Sequence, residues 1–268
     1  MFKRLFTFVF CCIATVALAN LPLPASQPTM VVGRNMPKQR NLIMLCMNYG
    51  RHTPIGLLSQ RFGNSNTVGF SAGYKFANNW QVQAGINALF SGKVKENGIL
   101  DSMMGSSGLL LDNTGTYADI RLYERGYLWH LDIGKIIPMG PFNQQSGILM
   151  TAGLGFIEHR IKFTYQKTVL PQLDNGNYKG YDRLTNGLLL RGFLGYQLLD
   201  TKGKVNLVGG IEYLQGMTQN RRAFNYDTRT ADNTHRTDIL LGLKLGIMVT
   251  INGRETGKKK TEQDHFFN

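Results

Sequence analysis

The fold is decided by the last apolar stretch of the chain, DILLGLKLGIMVTI, which covers residues 238–251. Every second residue of this stretch is a branched aliphatic, and the positions between them include Asp238, Gly242, Lys244 and Gly246. This period of two is the pattern of a β-strand with one apolar face. Strands of soluble domains usually have about five or six residues, whereas a tilted strand that crosses a bilayer needs about nine to eleven. The length of the stretch therefore predicts a membrane-spanning strand.

The same alternation recurs earlier in the chain and predicts about eight strands in all. The other stretches are residues 42–51, 67–76, 80–91, 127–136, 147–162, 188–198 and 205–219. The connections between them are alternately short and long, as in barrels with brief periplasmic turns and longer external loops. We therefore predict an all-β fold, a closed antiparallel up-and-down transmembrane β-barrel. A soluble Greek-key barrel is the alternative, but it would not need this regular alternation.

One stretch departs from the simple pattern. In residues 147–162 the apolar positions shift from the face of Ile148 to the face of Ile157 and Ile161. An extra residue in one strand moves the following side chains to the other face, so we interpret the shift as a β-bulge near a rim of the barrel.

The first nineteen residues have the pattern of a signal peptide. Lys3 and Arg4 precede an apolar run that ends in Ala17-Leu18-Ala19, a small-residue cleavage pattern. A membrane-spanning helix is the alternative, although the run is short for that purpose. We therefore predict a signal peptide over residues 1–19 and an exported mature chain.

The remaining chain is divided by composition. We interpret the proline-rich segment 20–40 as a periplasmic arm, residues 41–251 as the barrel and residues 252–268 as a polar periplasmic tail. An even number of strands places both termini on the periplasmic side of an outer membrane. Phe266 and Phe267, near the end of the tail, predict a docking segment, with an unstructured tail as the alternative.

The chain is strongly basic, with a formal net charge of +13. Such a positive net charge in a cytosolic protein would suggest binding to nucleic acid, but an exported protein does not meet that partner. Outer-membrane lipids, including lipopolysaccharide with its phosphates, are then the natural counterions. Four arginines of the last predicted external loop form the candidate contact with lipopolysaccharide or with an acidic protein surface: Arg221, Arg222, Arg229 and Arg236. A solvated basic loop is the alternative.

Six ionisable residues fall on inward-facing positions of the predicted strands: Lys75, His130, Asp132, Arg191, Glu212 and Lys244. Side chains just fill the interior of a barrel of about eight strands, so an open diffusion pore is not expected. Charges of mixed sign in a low-dielectric interior must pair with one another. We therefore predict a salt-bridged plug, with a narrow polar path or a proton-linked site as the alternative.

The sequence offers little for catalysis. His159, beside Glu158, and His235, near Asp232 and Asp238, are the only candidate bases, and no serine faces either histidine in the predicted topology. The chain also lacks paired Cys or His spacing and a Gly-Lys-Ser or Gly-Lys-Thr loop. We therefore predict no catalytic site, no cofactor and no metal, with a lipid A or phospholipid modifying enzyme as the second hypothesis.

Several short motifs resemble small outer-membrane barrels of the Bacteroidota type, which are similar in general plan to OmpX-like and OmpW-like proteins. The motifs are Arg61-Phe62-Gly63, ADIRLYERGY at 118–127, GYDRLTNG at 180–187 and QNRRAFN at 219–225. The resemblance implies the fold and an outer-membrane location, and it implies no reaction. It also suggests an accessory role beside machines that assemble or export outer-membrane proteins. A narrow conduit for small solutes is the third hypothesis.

Overall fold

The computed structural model describes residues 40–96, 98–105, 108–139, 143–165, 170, 173–174, 176–200 and 206–252. The predicted signal peptide and all of the predicted arm except Arg40 lie outside these residues. The tail lies outside them after Asn252, so Phe266 and Phe267 are outside them as well.

Eight strands form the barrel, and each pairs antiparallel with its neighbour in the sequence. They are β1 (Leu42–Ile55), β2 (Ser65–Lys75), β3 (Trp80–Ser91), β4 (Ile120–Pro138), β5 (Gly147–Tyr165), β6 (Thr185–Leu199), β7 (Asn206–Asn220) and β8 (His235–Asn252). The ring closes where β8 pairs with β1, from Leu42↔Asn252 to Ile55↔Ile239. The predicted closed up-and-down barrel is confirmed.

Several strands are longer than the alternation predicts. β4 begins at Ile120 instead of Tyr127, and β1 continues to Ile55 instead of ending at Arg51. Parts of the predicted loops therefore belong to the barrel wall, which brings His52 and Glu124 into its interior. A chain leaving the bilayer keeps its ladder hydrogen bonds but loses the apolar outer face, so the sequence pattern fades before the strand ends.

The predicted bulge in β5 is wrong. The β4–β5 ladder runs without a break from Ile120↔Tyr165 to Pro138↔Gly147. Ile157 and Ile161 point inward into a buried apolar cluster, and the alternation of faces never shifts. The apolar residues change sides because the outer wall here lies beyond the apolar belt while the interior is covered by loops, so the interior becomes the apolar environment.

The outer face of the barrel carries a continuous apolar belt. Aliphatic side chains fill its middle, and Ile247, for example, is 66% exposed. Aromatic side chains mark its edges: Trp129 stacks on Phe156 with ring centroids 6.0 Å apart, and the Lys135 ammonium lies 5.4 Å from the centre of the Trp80 ring. An exposed apolar surface of this extent is expected in contact with lipid, as in transmembrane barrels.

The loops over one end of the barrel form a cap. It contains a short helix, α1 (Leu58–Arg61), and two 3-10 turns, Asp101–Met103 and Asn177–Gly180. Leu58 and Phe62 pack with apolar residues of the strands in one buried cluster. In the part of the chain that the structure describes, no helix has the length and apolar character needed to cross a membrane.

A charge placed in the middle of the belt should destabilise the barrel. Ile247 pairs with Met47 of β1 and Leu207 of β7, both exposed and apolar. We expect Ile247→Arg to lower the free energy of unfolding by about 2–4 kcal/mol, measured by urea titration in lipid vesicles. Thr53→Arg is the control, because Thr53 is exposed on the part of β1 that extends beyond Arg51, and it should cost about 0–1 kcal/mol. Equal losses would contradict a lipid-facing belt.

Candidate functional site

A network of ionisable side chains crosses the middle of the lumen, and Arg191 of β6 lies at its centre. Its Nε and Nη2 donate to Oε1 of Glu212 at 2.8 and 2.5 Å, and its Nη1 donates to Oδ2 of Asp132. Lys244 Nζ lies 3.2 Å from Glu212 Oε1, and His130 Nδ1 lies 2.8 Å from Asp132 Oδ2. The structure thus brings together five of the six residues that the sequence predicts for the lumen.

The sixth residue, Lys75, lies apart from this network. It is fully buried at the end of β2, where it pairs with Leu42 and Gln81, and its Nζ donates only to the carbonyl of Phe76 at 3.4 Å. Its face was predicted correctly, but its height in the barrel puts it beyond the reach of Glu212.

His52 is the member of the network that sequence reasoning missed. Its Nε2 lies 2.8 Å from Glu212 Oε2, and the side chain is fully buried. The prediction placed His52 in a loop, although Asn48, Gly50 and His52 share one face. Continuing the period of two past Arg51 would have found it.

Small residues make room for the network. A Cβ on Gly85 of β3 would lie 2.7 Å from Nε2 of His130, too close for a real contact. The neighbouring Gln83 donates from Nε2 to Asp132 at 3.0 Å. The absence of a side chain on Gly85 therefore leaves room for the imidazole of His130, which lies within reach of Asp132.

Apolar layers close the lumen on both sides of the network. On the side of the short turns the buried residues are Leu42, Met44, Ile136, Leu149, Phe193, Leu199 and Met248. On the side of the cap they include Leu89, Leu128, Ile157, Leu189, Leu214 and Leu240. The cavity beside Arg191 and Lys244 has a volume of only about 30 Å³. Such a cavity holds one or two water molecules.

A second polar layer lies under the cap, around His159. Its Nε2 lies 2.9 Å from Asp238 Oδ2, which also accepts a hydrogen bond from Thr218 Oγ1 at 2.5 Å. Ser65 donates to Glu124 in the same barrel interior. His159 lies near the long-loop end of the barrel, opposite Thr185, but Glu158 points to the opposite face of β5 and so does not pair with it.

This layer does not have the order of a catalytic triad. Both hydroxyl groups donate to carboxylates and neither to the imidazole, whereas a serine nucleophile needs its hydroxyl on the histidine. His159 is buried, and its ring meets that of Phe62 edge-on at 5.6 Å. The other candidate base, His235, is exposed, and its expected acids pair with other residues: Asp232 with Arg236 and Asp238 with His159.

The four loop arginines have different surroundings. Arg222 forms an ion pair with the buried Asp182, whose hydrogen bonds raise the pKa of the guanidinium. Arg236 pairs with Asp232 at 2.5 Å. Arg221 donates to Asn186 at 2.5 Å, and Arg229 is exposed with a φ of +54°. Two of the four charges are therefore already matched by acids of the cap.

Unpaired cations lie instead on the outer wall, above the aromatic edge of the belt. Arg125 of β4 is directly opposite Arg160 of β5, with Lys162 two residues further along. Among the described residues none of the three has an acidic partner within ion-pair distance. Like charges in direct cross-strand register are unfavourable unless an anion lies against them.

Across the described part of the chain, no group of three or more histidine, cysteine or acidic residues could hold a metal ion. No protein-family model matches the sequence. No curated protein matches it either.

Solved structures of small barrels are similar to this chain at low identity. Ail, the attachment invasion locus protein of Yersinia pestis, solved with the heparin analogue sucrose octasulfate, is 11% identical; the match covers 78% of this chain and 99% of Ail, with a TM-score of 0.40. Neisserial surface protein A is 16% identical over 79% of this chain and 97% of its own, with a TM-score of 0.36. The outer membrane protein OprG from Pseudomonas aeruginosa is 15% identical over 82% and 100%, with a TM-score of 0.34.

Removing the central guanidinium should destabilise the barrel strongly. Arg191→Met leaves Asp132 without its guanidinium and Glu212 with only Lys244 and His52, at a cost of about 3–5 kcal/mol in unfolding free energy. Lys75→Met is the control, because it removes a buried cation that has no acidic partner among the described residues and should be neutral or stabilising. Urea titration of both variants in vesicles tests this, and an equal effect would refute the central role of Arg191.

Proposed function

We propose that this chain is a non-enzymatic, non-conducting outer-membrane barrel that serves as an accessory subunit of an envelope complex, working through its outer surfaces. The observation that carries the proposal is the filled lumen, in which the Arg191 network is enclosed between two apolar layers. A barrel that passes nothing through its interior offers neighbours its wall, its cap and its ends. Assembly or export of outer-membrane proteins is the process that the sequence resemblance suggests for such a subunit.

The orientation that supports this role follows from the connections. The connections at residues 76–79, 139–146 and 200–205 are short, and the strand ends that they join lie at the same end of the barrel as Leu42 and Asn252. The connections at the other end, for example residues 92–119, are long. In outer-membrane barrels the short turns are periplasmic, so the first and last residues of the barrel, Leu42 and Asn252, would both face the periplasm.

A small-solute conduit is less well supported. Solute passage would need a continuous polar path, but the charged residues of the lumen hydrogen-bond to one another and leave room for little more than a water molecule. A lipid-modifying enzyme is also less well supported, because His159, which lies against the Phe62 ring, and Asp238 are both buried in the barrel interior.

The outer-wall cations are the part of the surface that we propose to contact lipid. Arg160 and Lys162 are exposed, and Arg125 is half-buried beside them with its guanidinium 4.9 Å from the centre of the Tyr123 ring. They lie just beyond Tyr127, where the belt ends and lipid headgroups begin. Guanidinium groups bind phosphates bidentately, so lipopolysaccharide phosphates are the ligand that this surface favours.

The purified protein should not conduct ions. We expect planar bilayers that contain it to show no stepwise conductance above the lipid background, because the charged groups around Arg191 bind one another and the cavity beside them holds only one or two water molecules. A 16-stranded porin inserted under the same conditions is the positive control. Regular single-channel steps would support the conduit hypothesis instead.

Affinity purification from outer membranes in mild detergent tests the accessory role. We expect a stoichiometric envelope protein to accompany the tagged chain. We also expect the amount of lipopolysaccharide phosphate that co-purifies to be about ten-fold lower for the Arg160→Glu, Lys162→Glu double variant than for the wild type. Arg51→Glu is the matched control, because this exposed cation lies on β1, opposite β5 in the ring. A monomer without protein partners would refute the accessory role, and equal phosphate in both variants would refute the lipid contact.

A further inference from the structure

A second polar feature lies in the cap, above the lumen and away from the outer wall. It is a cavity of about 490 Å³ between the connections that follow β1, β3, β5 and β7. Four cations and two acids line it: Arg61, Lys95, Arg183, Arg236, Glu96 and Asp232. Cationic side chains therefore exceed acidic ones in its wall. The volume falls within the range of small-molecule sites, but the polar wall does not suit an apolar ligand.

Three guanidinium groups converge on this cavity from separate parts of the chain. Each has one acidic partner: Arg61 Nε lies 2.6 Å from Glu96, while Arg183 and Arg236 lie 2.5 Å from Asp227 and Asp232. Burial lowers the pKa of Arg61, and the neighbouring charges of Arg236 and Arg183 lower it further in spite of Glu96. The three like charges thus repel one another in a partly desolvated place.

Two donors of these groups have no acceptor within the described residues. They are Nε of Arg183 and Nε of Arg236, both buried from solvent. Arg183 is only 7% exposed and holds a φ of +51°, which a non-glycine residue rarely adopts. A buried charged donor without an acceptor is costly, so the carboxylate partners leave these two guanidinium groups incompletely satisfied, although the Nε atoms themselves do not open onto the cavity.

We propose that this cavity binds a sugar that carries a phosphate group. A phosphate offers acceptors to the guanidinium groups of Arg61, Arg183 and Arg236 and reduces their repulsion. The cavity is far larger than a phosphate ion, and the rest of its wall consists mainly of hydroxyl and amide side chains that suit sugar hydroxyls: Gln60, Asn225, Thr228, Thr230 and Thr234. This site is separate from the outer-wall cations and does not depend on the accessory role.

Titration calorimetry with the full-length protein in nanodiscs and glucose 6-phosphate as the probe tests the site. We expect a Kd of about 1 mM or below, and binding of uncharged glucose at least about ten-fold weaker. Arg183→Gln should weaken glucose 6-phosphate binding by about ten-fold or more. Lys95→Gln should weaken it by about five-fold and is safe for folding, because Lys95 is exposed and donates only to the Ser59 carbonyl.

Arg229→Gln is the matched control, since Arg229 belongs to the same connection as Thr228 and Thr230 but does not line the cavity. It should bind glucose 6-phosphate as the wild type does. Equal affinity of the Lys95→Gln and Arg229→Gln variants, or no binding by the wild type, would overturn the proposal. Competition by lipopolysaccharide would assign the sugar phosphate to a lipid headgroup, and its failure would assign it to a soluble molecule.

Discussion

The guanidinium of Arg191, held between Glu212 and Asp132, is the interaction on which the rest of the barrel depends. A narrow lumen surrounded by an apolar belt gives a charge little water, so each ion must find its counterion on another strand. Arg191 of β6 reaches acids of β7 and β4, and Glu212 in turn binds Lys244 of β8 and His52 of β1. The charges therefore connect opposite walls, and satisfying them leaves no room for a channel.

The sequence could predict the part of each strand that lies in lipid, because there the outward residues must be apolar and the inward residues of the lumen are largely small or polar. β3 was predicted with the bounds that it has, Trp80–Ser91. β5 shows where this reasoning ends. After Phe156 the outer wall lies beyond the apolar belt and carries Arg160 and Lys162, while Ile157 and Ile161 point into the covered interior. The period of two persists, but the polarity of its faces is exchanged, which sequence alone cannot distinguish from a bulge.

The candidate site was predictable as a set of inward residues but not as contacts. The face on which a side chain lies follows from the alternation along its strand, so His130 and Arg191 could be placed in the lumen. The level of a side chain along the barrel axis follows from the register between strands. This register brings His52 to Glu212 and leaves Lys75 near the short turns. Loop partners are harder still, because acids from distant parts of the chain decide which cations remain available. Arg222 was predicted to be available to an external anion, but it pairs with Asp182, forty residues earlier in the sequence.

The distribution of partners also indicates where the excess positive charge of the protein can act. In the lumen two carboxylates, Asp132 and Glu212, match Arg191 and Lys244, whereas Lys75 is buried without an acidic partner among the described residues. In the described part of the outer surface, cations without an acidic partner lie on the outer wall at Arg125 and Arg160, while the wall of the cap cavity combines three paired arginines with Lys95. Exposed cations close to a headgroup layer attract phosphates, whereas guanidinium groups enclosed in a cavity select among them by shape. A sealed barrel can therefore carry two different anion contacts without any change to its interior.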